Sequence, residues 1–421
     1  MSNTKLSLKP IVLAILLASA FPAFSQVQIP DEVATDSTIR NQWPSNLNWT
    51  PECSDSQNCK SYAGTADASK LETIDYPSID DIQVSNSLGF QLDSSAELKN
   101  KTVYVTDVTG IEGFIFGASN NNSFMNSSYM PSHTAEGNLL VLDITNKNQV
   151  DVSGYSLSQV NANITAAANS KGGAVNNSTL IRNGNFNVKK TGNNTPAWTI
   201  AGAGVFEATD NVNNNMVVVD NTTLTMDPTL SIPNAVSIFG AYTHHTSGGG
   251  QLSINGNSVW IKDSNIETFL IAGSLSYAGN FASGNQNSVY VSNSSLKLNS
   301  SNLGNFIGGI FSTWGTGKAE NNWLEIEGSQ LQIDAYAENA FTISPTWATD
   351  SALNNALVIR DTTIISESKA LQILGGYAGL EEANQNTIVI SNSTIEGALT
   401  FYGGYTSKEN SASGNRIYLS N

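Results

Sequence analysis

Few side chains in this sequence are equipped for chemistry, and their spacing limits what they can do. The 421 residues include 2 cysteines, Cys53 and Cys59, and 3 histidines, His133, His244 and His245. The cysteines bracket Ser54-Asp55-Ser56-Gln57-Asn58. A metal centre needs more donors than a thiolate pair with no neighbouring histidine supplies. The pair is therefore expected to close a small disulfide loop in an exported chain. His244-His245 follows Phe239-Gly240-Ala241-Tyr242 and precedes Ser247-Gly248-Gly249-Gly250. Adjacent residues on a strand point to opposite faces, so this pair is expected in a surface loop rather than around a metal. Gly315-Thr316-Gly317-Lys318 has the look of a phosphate loop, but Ala319 stands where Ser or Thr is required. The H-E-x-x-H, G-x-S-x-G and Gly-Asp-Ser-Gly segments are missing, as is the calcium-binding nonapeptide. Trp198, Trp260, Trp314, Trp323 and Trp347 could line a sugar groove or pack in the interior and at corners. No catalytic, cofactor-binding or metal-ligating residue is assigned, and enzyme activity is not expected.

The elements that must position these residues repeat. Asn386-Thr387-Ile388-Val389-Ile390-Ser391-Asn392-Ser393-Thr394-Ile395 alternates apolar and polar residues, meets Asn-Ser, and resumes. That reads as a strand, a bend and a second strand. Leu399-Thr400-Phe401-Tyr402-Gly403-Gly404-Tyr405 follows as an aromatic strand with a glycine corner. The leading asparagine recurs at Asn138, Asn177, Asn215, Asn257, Asn287, Asn322, Asn355, Asn386 and Asn415. Intervals shorten from 39 residues (138 to 177) to 29 (386 to 415). Length variation of that kind belongs in loops. Apolar pairs such as Val259/Ile261, Leu357/Ile359 and Ile388/Ile390 follow each anchor and predict a buried strand face. Asn183, Asn221, Asp263, Asn293, Gly328, Asp361 and Asn392 share the next special position and are types that tolerate a left-handed backbone. Asp263 and Asp361 thus read as turn formers, with no Arg or His in the column to make them catalytic. Pro345 replaces the glycine of one corner and predicts a bulge there.

Identical short strands at a repeating interval suit a solenoid in which equivalent residues stack into ladders. With Lys+Arg 19 against Asp+Glu 35, the net charge of −16 makes nucleic acid an unfavourable partner. Lys5 and Lys9, the apolar run 11–20 and Ala23-Phe24-Ser25 read as an export signal cleaved between Ser25 and Gln26. The apolar run is too short to span a bilayer. The predicted organisation is a signal peptide over 1–25, an irregular N-terminal cap over 26–99, and β-helix repeats over 100–421 that stop within a unit.

Tandem units of the form N-x-V-x-I-x-N-S-x-I followed by a strand and G-G-Y resemble the passenger regions of bacterial autotransporters, over about residues 100–421. The resemblance implies an all-β, right-handed parallel β-helix carried across the outer membrane and displayed at the cell surface or released. It implies an outer-membrane β-barrel translocator as partner, for which no segment here suffices. The chain is therefore expected to be a piece of a longer protein, with its last half-unit prone to fray or self-associate. The family includes adhesins, proteases, esterases and inert stalks. The expected function is adhesion or surface display toward an unidentified ligand. The alternatives are a secreted polysaccharide-active β-helix enzyme and a structural stalk.

Overall fold

The computed structural model describes residues 43–63, 87–92, 97–108, 110–112, 114–120, 132–145, 149–153, 164–189, 198–227, 236–246, 252–278, 281–300, 308–335, 341–367, 371–397, 399–408 and 411–420. The signal region with Ser25 and Gln26 lies outside these residues. The described residues form strands, turns and bends with no helix. They build an 11-stranded, a 9-stranded and a 15-stranded sheet, and every strand pair is parallel. The architecture is that of a parallel β-helix.

The first sheet stacks Cys59–Ala63, Thr102–Thr106, Leu139–Asp143, Ser178–Arg182, Met216–Asp220, Ser258–Lys262, Ser288–Ser292, Trp323–Glu327, Ala356–Arg360, Thr387–Ser391 and Arg416–Ser420. One sequence unit makes one rung. At about 4.8 Å per rung the 11 strands span roughly 48 Å. Cys59–Ala63 and Ser87–Leu92, both inside the segment expected to be a cap, already carry strands of the first and third sheets. At the other end Ile417 and Leu419 are exposed at 43% and 62%, because their strand pairs on one side with Thr387–Ser391.

The interior is a set of aliphatic columns. Val259, Val289, Leu324, Leu357 and Ile388 lie directly over one another and are fully buried. Phe186, Leu224, Ile266, Leu296, Leu331, Ile364 and Ile395 fill the second sheet, and Ile200, Ile238, Ile271, Ile310, Ile343 and Ile373 the third. Stacked β-branched side chains leave few voids, and that burial supplies most of the stabilisation.

Polar ladders run along the two corners. At the corner leading into the first sheet, the buried anchor asparagines are bonded rung to rung. Asn177 Nδ2 donates to Asn215 Oδ1 at 2.8 Å, and Asn215 Nδ2 to Asn257 Oδ1 at 3.0 Å. The second amide hydrogen points back to a backbone carbonyl, as from Asn215 to Ala174 O at 2.9 Å, or to a threonine hydroxyl, as from Asn322 to Thr346 Oγ1 at 3.3 Å. Every buried amide of this kind is thereby satisfied within the protein. At the bend leaving the first sheet, Asn183, Asn221, Asp263, Asn293, Gly328, Asp361 and Asn392 all have φ between 45° and 58°. The next residue contributes a hydroxyl ladder: Ser264 N donates to Ser294 Oγ, and Ser294 N to Ser329 Oγ, both at 3.1 Å.

Two expectations need correction. The glycine corner holds at Gly375 and at Gly403-Gly404, where the backbone bends between two strands, but not at Gly202, Gly240 and Gly273, which lie inside long third-sheet strands, outside the left-handed region. A Cβ on Gly240 would sit 2.4 Å from Gly273 O and 2.6 Å from Ser258 N. Glycine serves there as the point where third- and first-sheet backbones nearly touch. Pro345 does not loop out either. It occupies the same column inside Phe341–Leu353, and the pairs Ser344↔Phe311 and Thr346↔Thr313 hold the register on both sides of the missing donor.

Candidate binding surface

The residues singled out for chemistry are dispersed by the fold. Cys53 and Cys59 are joined in a disulfide with a Cα–Cα distance of 5.1 Å. His244 and His245 belong to the strand Val236–Thr246, not to a loop, and His245 pairs in register with Glu207 and Ala278. The strand continues through them because Thr243 is a buried ladder residue on the same run. His133 begins a separate third-sheet strand, His133–Glu136. Gly315 to Lys318 lies within the strand Gly309–Glu320, with Lys318 opposite Ser283, so the segment does not curl into a phosphate cradle. Asp263 and Asp361 sit at left-handed bends. Among the described residues no group of three or more His, Cys, Asp or Glu could hold a metal ion.

The tryptophans separate into three environments. Trp198 is interior, against Phe186 at 6.0 Å. Trp323 is buried on the outer side of the first sheet, where its Nε1 donates to Glu325 at 2.9 Å and Arg360 pairs with the same carboxylate at 3.3 Å. Trp260 lies beneath Trp43. Trp314 and Trp347 alone are placed on an open face.

That face is the outside of the third sheet. Residues before and after the glycine column both turn outward, giving the pairs Phe239/Tyr242, Phe311/Trp314, Ser344/Trp347, Leu374/Tyr377 and Tyr402/Tyr405 on successive rungs, interrupted by Ala272/Leu275. Phe239, Ala272, Leu275 and Phe311, with Tyr242, Trp314 and Trp347 against them, form an apolar cluster separate from the core, with Phe239, Phe311 and Leu275 as its buried floor. Tyr242, Trp314, Trp347 and Tyr377 are half-buried, while Tyr402 and Tyr405 are exposed at 42% and 37%. Rings stack along the axis: Trp347 on Tyr377 at 3.9 Å and 12°, then Tyr377 on Tyr405 at 5.6 Å and 21°. Trp347 also meets Phe311 edge-on at 6.2 Å, in the space that Ser344 leaves.

Chemically the stripe offers ring edges and phenol hydroxyls, with a neutral column on one side of it and Asp350 and Glu381 beyond the other. The outward column beside it runs Ser237, Leu270, Gly309, Thr342, Gln372 and Thr400. None of these columns carries a charge, on a chain with 35 acidic residues. No family model, curated protein or solved structure matches this chain.

Among the described residues, the groups with perturbed titration lie away from the stripe, on the first and second sheets and in the turn at Asp55. Burial pushes the Asp220 carboxyl above its ordinary value, against the pull of Lys262 and Arg182. Burial likewise raises the Tyr104 phenol, aided by Asp143. Lys189 and Gln149 hold the Asp151 carboxyl low through hydrogen bonds. These groups lie on different strands, and none faces the aromatic stripe.

The sequence signal for the stripe is the spacing aromatic-x-x-aromatic around the glycine column, as in Phe239-Gly240-Ala241-Tyr242 and Tyr402-Gly403-Gly404-Tyr405. Strict alternation would place such residues on opposite faces. Alternation is broken at the glycine column: Ile238 and Ala241 both pack into the core, so Phe239 and Tyr242 share the outer side.

Proposed function

We propose that this protein is an exported, autotransporter-like passenger that reaches the cell surface through an outer-membrane β-barrel and serves adhesion or display. The observation that carries the reading is the uncharged aromatic stripe on the outside of the third sheet, from Phe239 to Tyr405. Exposed, ordered aromatic surface of this extent marks an interaction site rather than a solvated face. The ladders beneath it hold the rings at fixed spacing, so little side-chain freedom is lost when a ligand is bound. A surface bearing −16 repels polyanions, and the neutral stripe suits an uncharged partner with flat apolar faces.

The test is adhesion by cells producing the protein, with display measured separately by antibody on intact cells. Trp347→Ala together with Tyr377→Ala should leave the displayed amount unchanged and reduce attachment to a target cell layer at least about tenfold, as expected when central aromatic contacts are removed. Undiminished attachment at equal display would remove the stripe from the function. Absence of the wild-type protein from the surface would remove the passenger reading.

A further inference from the structure

A segment outside the repeats lies lengthwise on the first sheet. Trp43, Leu47 and Trp49 pack on an outward apolar column made by Tyr104, Val141, Leu180, Val218, Trp260 and Tyr290. Trp43 meets Trp260 edge-on at 5.5 Å and Tyr290 at 5.9 Å, with the Lys262 ammonium 5.6 Å from its ring centre. Trp49 lies under the Arg182 guanidinium at 4.9 Å, and Arg182 is itself paired with Asp143 at 2.6 Å. Residues 43–49 therefore run from the rung of Tyr290 back to that of Arg182. The disulfide Cys53–Cys59 then ties the strap to the strand Cys59–Ala63, at the end of the sheet.

In a solenoid each rung contacts only its neighbours, so an end can open one rung at a time. The strap departs from that rule by joining rungs that never touch. We propose that residues 43–59 form a clasp that prevents end-on opening of the first rungs and closes last during folding. Trp43 and Tyr290 are 290 − 43 = 247 residues apart, and they meet only after the rungs between them have stacked. Closing so long a loop earlier would cost entropy that no contact yet offsets. Contacts made after the transition state slow unfolding and leave folding unchanged. The clasp is thus a device for kinetic persistence, suited to a protein exposed to proteases.

The experiment compares the full chain with its Trp43→Ala variant, using unfolding and refolding kinetics in denaturant together with amide hydrogen exchange. The variant should unfold about tenfold faster or more while refolding at the wild-type rate. Exchange should accelerate in Thr102–Thr106 and Leu139–Asp143 and stay unchanged in Ala356–Arg360, which the strap does not reach. Lys262→Ala, which weakens the clasp while keeping its rings, should give the same pattern with smaller amplitude and serves if Trp43→Ala does not fold. An unchanged unfolding rate, refolding slowed by the same factor, or exchange rising equally in all rungs would each overturn the proposal.

Discussion

Asn355 Nδ2 donates to Asn386 Oδ1 at 2.8 Å, and the backbone N–H of Asn355 donates to the same oxygen at 3.1 Å. Both residues are essentially inaccessible to water. One carbonyl therefore closes two donors of the preceding rung, and the relation repeats between Asn322 and Asn355 at 2.9 Å and 3.0 Å. Replacing Asn355 by Ala strips the acceptor from both donors of Asn322 and removes the amide hydrogen that Ala319 O receives. Unsatisfied buried groups cost about 1–3 kcal/mol each, so a loss of roughly 2–4 kcal/mol is expected after local relaxation. Equilibrium denaturation of the variant measures it; a loss below about 0.5 kcal/mol would show the ladder to be dispensable.

A glycine prediction follows from the backbone approach between sheets. Gly240→Ala puts a methyl into Gly273 O and Ser258 N, and both are main-chain atoms that cannot swing aside. The adjacent rungs carry Gly202 and Gly273, but rungs further along carry Ala166, Ser312 and Pro345 in this column, so the clash belongs to the local backbone path and not to the column as such. The expected cost is about 2–3 kcal/mol. A melting curve matching wild type would mean that the sheets separate there at little cost.

How much of this was legible in sequence follows from the range of the forces involved. The alternation at Ile388/Ile390 and the left-handed residues at Asn221 or Asn392 are local signals, and they located strands and bends. The anchor asparagine marked the period, since every rung needs the same amide at the same corner. The left-handed residue just before it was missed: Asn214, Gly256, Gln286 and Asn354 have φ of 52° to 66°. Its identity varies too much to stand out. At Gly202, Gly240 and Gly273 a close backbone approach stands where the sequence predicts a tight turn, because both select the same residue, whereas Gly375 and Gly403-Gly404 do bend. The aromatic-x-x-aromatic spacing marks the stripe locally, but its stacking and the seating of the strap depend on which residues meet across rungs, which no local pattern encodes.

The Asp220 carboxyl offers a pH test. Burial raises its native pKa above the usual carboxylate value of about 3.9, so the folded protein binds more protons than the unfolded one across that interval. Stability from this group therefore falls as pH rises through the raised value, and the penalty is complete at neutral pH. Asp220→Asn should melt higher than wild type at pH 7, with the difference shrinking as pH drops toward 4. A variant that is destabilised at neutral pH, or a difference that grows on acidification, would assign Asp220 a favourable ion pair instead.

For the stripe, Tyr377 is sandwiched between Trp347 and Tyr405, so its removal breaks two ring contacts while leaving the aliphatic interior intact. Tyr377→Ala is expected to cost only about 1–2 kcal/mol of stability, since aromatic pairs add about 0.5–1.5 kcal/mol each beyond burial. Near-ultraviolet circular dichroism should lose the coupled Trp–Tyr signal, and far-ultraviolet spectra should be unchanged. Loss of the β spectrum would make Tyr377 part of the structural core.

The claim on which all of this rests is that one sequence unit makes one rung in a fixed register. Thr363 and Thr394 are directly paired across neighbouring second-sheet strands, and neither is buried. The direct measurement is mass spectrometry of an oxidised Thr363→Cys, Thr394→Cys chain beside a Thr363→Cys, Glu396→Cys chain offset by one period of the strand. The account predicts a new disulfide between positions 363 and 394, with the offset pair remaining reduced and Cys53–Cys59 intact. A disulfide in the offset chain with none between 363 and 394 would contradict the register and, with it, the ladders and the stripe.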